Sequence, residues 1–217
     1  TIMTNFQSRI CFGFAPAMLF PKSFEDPYQH FAAIQTCCHN TPYESFETFL
    51  PEDESMRKLC IQSMQKNEIK LHYNAPGIFQ IDGEFNPCSE NPEYRKNALN
   101  LAKKHICYAA EAESPIIVFA ACPDKGIKKR PELLKRFMEY FLELAELCRT
   151  YHMEITIEPI ERHRFKKLIL GPFKDCADFM LEAQKNGAAN AHLMIDTAHL
   201  PLMEESLETA IKETQRA

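Results

Sequence analysis

Short apolar runs alternate along this chain with longer stretches whose apolar positions recur every three or four residues. The first run is RICFGF at 9–14, followed by a helical stretch around Phe24–Cys38. YESFETFL at 43–50 reads as a strand and EDESMRKLCIQSMQKN at 52–67 as a helix. IKLHYNAPG at 69–77 is a strand that ends in turn residues. A helix over 91–112 carries Pro92 in its first turn, where the missing N–H is harmless. PIIVFAA at 115–121 is the most apolar strand. In the helix that begins near Arg130, the residues Leu134, Phe137, Met138, Phe141, Ala145 and Cys148 fall on one face, which predicts burial of that face. A strand at 154–160, a helix at 171–187 stopped by Gly187, a strand at 191–196 and a helix at 201–214 complete the series.

That makes roughly six βα units, and regular alternation of this kind predicts a parallel sheet covered by helices. Right-handed crossovers leave a doubly wound open sheet or a barrel. No GxGxxG or GxxxxGK[ST] loop follows the first strand, so the usual nucleotide fingerprint is missing. Polar residues end several strands (Glu47, His72, Glu158, Asp196), the side where barrel enzymes gather their chemistry. The expected class is therefore α/β, a TIM (β/α)8-type barrel. Such a barrel takes about 250 residues. The expectation is one domain over 1–217 that lacks the last two βα units. Six parallel strands leave two free edges. The chain is accordingly expected to form a homo-oligomer or to be part of a longer natural protein.

Composition narrows the setting. Apolar residues make up 45% and charged residues 25%, ordinary for a globular protein. No run of eighteen or more apolar residues suggests a membrane span, and the N-terminus lacks the pattern of a signal peptide. The nine cysteines are scattered with no CxxC pair, and several, such as Cys107, Cys148 and Cys176, lie in apolar periodic segments. They read as reduced, buried thiols of a cytoplasmic protein. The net charge of −5 excludes a generally basic surface, so nucleic acid is not the expected partner.

The candidate chemistry sits where two buried strands end. Side chains alternate along a strand. Glu154, Thr156 and Glu158 therefore share one face, and His192, Met194 and Asp196 share another. The aliphatic faces should pack on helices, which leaves Glu158 and Asp196 at the top of the mixed faces. Two carboxylates close together in a low-dielectric site repel, and one would have to protonate. A divalent cation removes that cost, and His199, three residues beyond Asp196, offers an imidazole. A purely structural reading also accommodates the spacing: Asp196 caps the next helix, Glu158 pairs with an arginine, and His199 is a solvated loop residue.

IEPI followed by IDTAHLPLMEES resembles the xylose isomerase-like TIM barrels, the sugar phosphate isomerase/epimerase group, and within it the ketose 3-epimerases. The resemblance is specific over roughly 150–214 and architectural before that. It implies that Glu158 both binds the metal and acts as acid–base catalyst, that Asp196 is a metal ligand, and that His199 contacts substrate. It also implies one divalent ion (Mn, Mg, Co or Zn) and a small carbohydrate or sugar-phosphate substrate. The reaction would be proton transfer next to a carbonyl through an enediolate. The family's further histidine and glutamate come from its seventh and eighth strands, to which nothing in this sequence corresponds. The same superfamily includes the endonuclease IV group, whose zinc cluster needs more histidines, including one that ends strand four. IIVFAACPDKG has none. A metal-dependent nuclease and a non-catalytic barrel fragment remain the alternatives.

Other residues carry weaker signals. His72 and Glu47 end strands and are candidate substrate contacts, whereas His105 reads as a packed helix residue and His192 as a lower-layer residue. Two basic runs, DKGIKKR at 124–130 and ERHRFKK at 161–167, fall in loops. They read as solvated loops or, through residues such as Arg164, as the attraction for an anionic substrate.

Overall fold

The structure is a computed structural model that describes residues 11–40, 42–74 and 82–217. The start of the first predicted run and the tail of the third, 75–77, lie outside the described residues. The chain divides into two compact units: Thr1–Asn74 with Glu111–Ser114, and Ala75–Ala110 with Pro115–Ala217.

The first unit holds β1 (Gly13–Phe14), β2 (Ser45–Thr48) and β3 (Lys70–Asn74), paired in parallel in that order. Gly13 is required where β1 meets β2. A Cβ there would lie 2.2 Å from Ser45 Oγ and 2.7 Å from the Ser45 carbonyl oxygen. Helices α1 (Pro16–Leu19), α2 (Pro27–Asn40) and α3 (Glu54–Lys66) belong to the same unit. Asp53 caps α3 by accepting the Met56 N–H at 2.8 Å. Along α3 the buried residues Arg57, Cys60, Ile61 and Met64 form one stripe. Burial of Arg57 is offset by three hydrogen bonds, to Glu111 at 2.7 Å and to the carbonyls of Pro51 and Glu52.

Ser114 finishes β3 with a side chain. Its hydroxyl donates to the Leu71 carbonyl at 2.7 Å and accepts the Tyr73 N–H at 3.1 Å, so one serine serves two ladder groups. Tyr73 is fully buried, and its own hydroxyl accepts the Leu50 N–H at 3.3 Å.

Helix α4 (Pro92–Glu111) precedes the strands of the second unit. These are β4 (Ile116–Phe119), β5 (Glu154–Ile157) and β6 (Ala191–Leu193), again parallel and in chain order. Helices α5 (Arg130–Thr150) and α6 (Phe173–Lys185) alternate with them, and α7 (Leu200–Met203) and α8 (Leu207–Arg216) follow. Phe179 of α6 fills the angle between Phe137 and Phe141 of α5, with ring centroids 5.5 and 5.7 Å apart.

Several elements depart from the sequence reading. Strand β6 stops at Leu193 rather than at Asp196. The single helix expected at 201–214 is two: Glu204 takes a left-handed conformation (φ 60°), and Ser206 starts α8 by accepting the Thr209 N–H. On α5 the buried face is rotated, with Leu133 and Leu144 inside and Leu134 and Met138 only half-buried. All nine cysteines are free, but Cys11 and Cys107 are exposed rather than buried. Among the described residues no helix is long and apolar enough to cross a membrane.

Two predictions follow from the first unit. Ser114→Ala removes the partner of the Leu71 carbonyl and of the Tyr73 N–H, and should cost about 1–3 kcal/mol in urea unfolding. His30 is 1% exposed and lies against the Phe49 ring, with centroids 4.5 Å apart. Burial pushes its pKa below 6.5, against weaker opposing contacts with the Ser23 and Phe49 backbone. Its contribution to stability is therefore complete above 6.5 and is lost as pH falls from there through the folded-state value. The urea midpoint of the wild type should fall more steeply below about pH 6.5 than that of His30→Gln. Parallel slopes would show that His30 has the same pKa folded and unfolded.

Candidate functional site

The ends of β5 and β6 bring three ionisable side chains together. The backbone ladder runs one residue past β5, where the Glu158 N–H donates to the Phe119 carbonyl at 2.9 Å. This fixes the Cα of Glu158 at the C-terminal end of the strand, and its side chain is buried (6% exposed). After β6, the Met194 N–H donates to the Ile157 carbonyl and keeps the outgoing chain beside β5. Asp196 then forms a turn: its Oδ1 accepts the Ala198 N–H at 2.8 Å and its carbonyl accepts the His199 N–H at 3.2 Å. The other carboxylate oxygen, Oδ2, lies 3.7 Å from His199 Nε2. That same Nε2 lies 3.4 Å from Glu158 Oε1. One donor atom from each of Glu158, Asp196 and His199 falls within 4.8 Å of the others.

A fourth group completes the cluster. Glu161 is 1% exposed, and its Oε2 lies 3.5 Å from His199 Nδ1. Its Oε1 accepts the backbone N–H groups of Phe165 at 2.9 Å and Lys166 at 2.6 Å. The loop that carries it is braced from both sides. Ile160 and Leu168 donate to the carbonyls of Leu170 and Glu161, while Ile169 donates to Cys122 and Asp124 to Lys167. Arg162, also mostly buried, ties the loop to α6 through Asp175 at 2.7 Å and closes the loop on the Ile169 carbonyl at 2.6 Å.

His199 is surrounded by acids. The Glu158 carboxylate beside it holds its pKa above the usual 6.5, against burial, and Asp196 and Glu161 act in the same direction. The segment that delivers it is docked by Leu200, which packs with Phe173 and Ala210, and by Glu205, whose carboxylate accepts the Phe173 N–H at 3.1 Å. An acid at the N-terminus of α6 also complements the helix dipole.

The remaining sequence candidates lie elsewhere. In the first unit Glu47 and His72 are register partners on β2 and β3, and Glu47 Oε1 accepts from Asn74 Nδ2 at 2.6 Å. Burial lowers the His72 pKa, with Glu47 opposing. Arg164 is exposed and pairs with Glu204 at 3.1 Å. His192 is exposed too and pairs with Glu154 at 2.9 Å. His105 is buried, edge-on to Tyr108, as expected of a packed helix residue. In the basic runs Arg130 forms a two-pronged pair with Asp124, and Lys129 pairs with Glu90.

Glu161 was not singled out from the sequence. Period-two counting from Glu158 places it on the opposite, helix-facing side. The chain leaves strand geometry after Ile157, so that parity does not apply. The available signal was the repeat of a glutamate three residues after Glu158, directly behind a buried strand.

Parallel strands in chain order, joined by helices, with their ionisable groups gathered at the strands' C-terminal ends, define an α/β protein of the barrel type. A family model described as the xylose isomerase-like TIM barrel matches residues 31–215, and the chain belongs to that family. Among solved structures, the D-psicose 3-epimerase of Clostridium cellulolyticum H10 with D-tagatose is similar at 18% identity and a TM-score of 0.73, over 94% of this chain and 70% of that one. The D-allulose 3-epimerase of Methylomonas sp. in complex with D-allulose is similar at 16% identity and a TM-score of 0.75, over 95% and 69%. An AP endonuclease, family 2, from Brucella melitensis is similar at 12% identity and a TM-score of 0.74, over 94% and 75%. At such identities the likeness is one of fold. A search of curated proteins finds no match.

The bracing of the loop yields a prediction. A Cβ on Gly171 would lie 3.0 Å from Arg162 N, 3.1 Å from Arg162 Cβ and 3.2 Å from the Ile160 carbonyl oxygen. Gly171→Ala should therefore push the two limbs of the loop apart and cost about 1–3 kcal/mol in urea unfolding. An unchanged midpoint would show that the limbs give way freely.

Proposed function

We propose that this protein is a metal-dependent isomerase or epimerase of a small ketose or sugar phosphate, with Glu158 as acid–base catalyst and Glu158 and Asp196 as metal ligands. The observation that carries this reading is the convergence of Glu158, Asp196 and His199 at the ends of β5 and β6. Support for the substrate class comes from fold neighbours that are ketose 3-epimerases holding D-tagatose or D-allulose. The cysteines, all free, suit a reducing compartment, and we assign the protein to the cytoplasm.

The donor set fits a divalent ion. Bonds of roughly 2.0–2.2 Å at tetrahedral to octahedral angles put neighbouring ligand atoms about 3.0–3.5 Å apart. The separations of 3.4 and 3.7 Å around His199 Nε2 are close to that range. Carboxylate oxygens with one imidazole suit Mn, Mg, Co or Zn. When bound, such an ion supplies Lewis-acid polarisation of the substrate's carbonyl and hydroxyl oxygens.

The protein's own groups do the rest. Burial keeps water from Glu158, whose carboxylate removes the proton from the carbon next to the carbonyl or delivers one to it, and epimerisation takes a partner acid on the opposite face. Asp196 is held by its turn so that one oxygen serves the Ala198 N–H and the other faces the site. Arg164 is assigned to an anionic substituent, which would require exchange of its Glu204 partner.

The test is turnover of a panel of ketohexoses and ketose phosphates in deuterated water with each of the four ions. The expected result is metal-dependent interconversion with deuterium appearing at the carbon next to the carbonyl. Glu158→Gln should lower turnover by about 10²–10⁴-fold, with the fold retained. Interconversion without deuterium uptake, or unchanged turnover in that variant, would overturn the assignment. The likeness to an AP endonuclease supports a second reading, cleavage of abasic-site DNA. Incision of such DNA with a multi-ion stoichiometry, and no ketose turnover, would decide for it.

A further inference from the structure

We propose that Glu161 is the positioning residue of this site: it accepts the Nδ1–H of His199 and so turns the Nε2 lone pair toward Glu158 and Asp196, which makes His199 a third metal ligand. The inference rests on the metal-dependent reading above and departs from the role of substrate contact that the family resemblance gives His199.

The argument begins with two orphaned atoms. Glu161 Oε2 and His199 Nδ1 are both buried, and neither has a hydrogen-bond partner among the described residues. They face each other at 3.5 Å. Leaving both unmade is costly, and one short shift satisfies both. Glu161 cannot rotate away, because its Oε1 is held by the N–H groups of Phe165 and Lys166. The residue is 1% exposed, so its charge has no water to turn to.

The imidazole's geometry supplies the second half. An imidazole whose Nδ1 carries the proton offers its lone pair at Nε2. Here Nε2 is the nitrogen that faces Glu158 Oε1 at 3.4 Å and Asp196 Oδ2 at 3.7 Å. A carboxylate behind a ligating histidine fixes its tautomer and ring orientation, and loss of such a partner typically costs about 10–100-fold in metal affinity.

Glu161→Gln separates positioning from structure. The amide oxygen can still accept from Phe165 and Lys166, so the loop keeps its bonds. The amide nitrogen then faces His199 Nδ1 as a donor, which favours the proton on Nε2 and blocks ligation. Zinc binding to the 217-residue chain would be measured by calorimetry, and histidine ring ¹⁵N shifts would be recorded in the zinc-loaded protein. The expected result is metallation of His199 through Nε2 in the wild type. The expected result for Glu161→Gln is a roughly 10–100-fold weaker affinity at an unchanged thermal midpoint. Glu161→Asp, which keeps the acceptor at shorter reach, should recover part of the loss. Metallation through Nδ1, an unmetallated His199, or wild-type affinity in Glu161→Gln would overturn the proposal. Ligation through Nε2 without ketose turnover would leave this proposal standing and overturn the proposed function. Turnover with equal zinc affinity in wild type and Glu161→Gln would do the reverse.

Discussion

A buried carboxylate needs a counter-charge or a full set of hydrogen bonds, and two of them, Glu158 and Glu161, meet on opposite edges of one imidazole. Asp196 adds a third negative charge on the Nε2 side. One imidazolium cannot balance three carboxylates, and Glu158 and Glu161 have little solvent to screen them. The cluster can lower its energy by keeping His199 protonated, the direction in which its neighbours push its pKa, by protonating a carboxylate, or by taking up a cation. Ion binding and histidine protonation therefore compete for the same negative field. The negative field of the cluster is one that a bound cation would relieve.

Holding the three acids in that arrangement falls to ordinary backbone pairing. Ladder bonds from Glu158 to Phe119 and from Met194 to Ile157 place two chain ends side by side. Beyond them the chain is irregular, and irregular backbone stays fixed only if its polar groups are used. The loop after β5 meets this by pairing with itself and with residues 122–124. The segment after β6 meets it with the Asp196 turn and the Glu205 cap on α6. The site is thus built from loops, but each loop is clamped onto a strand or helix, as preorganised chemistry requires.

The sequence made the frame legible and the exits from it much less so. Alternating periods of two and 3.6 placed the six strands and the long helices, because those signals depend on burial of one face. Glu158, Asp196 and His199 were legible for the same reason, as polar residues that interrupt or directly follow buried runs. The errors cluster where the chain stops being periodic. Strand β6 ends at Leu193 because Asp196 spends its bonds on a turn. The helix expected at 201–214 breaks because Ser206 is a better cap than an interior residue. The rotated face of α5 buries Leu144 and half-exposes Met138, since a stripe of apolar residues wider than the contact leaves its edge to tertiary packing.

Glu161 shows why a site can be wider than its motif. Residues at strand ends, such as Glu158, can be found by counting. A residue that orients one of them has no fixed spacing, because its reach depends on the path of the loop between. Here the path is set by Pro159 and Ile160, both buried, which carry the chain inward before it turns back toward Leu170. Three residues in an extended strand would put the two glutamates on opposite faces and some 10 Å apart. The turn instead brings both carboxylates to the same imidazole. The glutamate pair in IEPIE therefore meets across His199, and both acids raise the proton affinity of the ring between them.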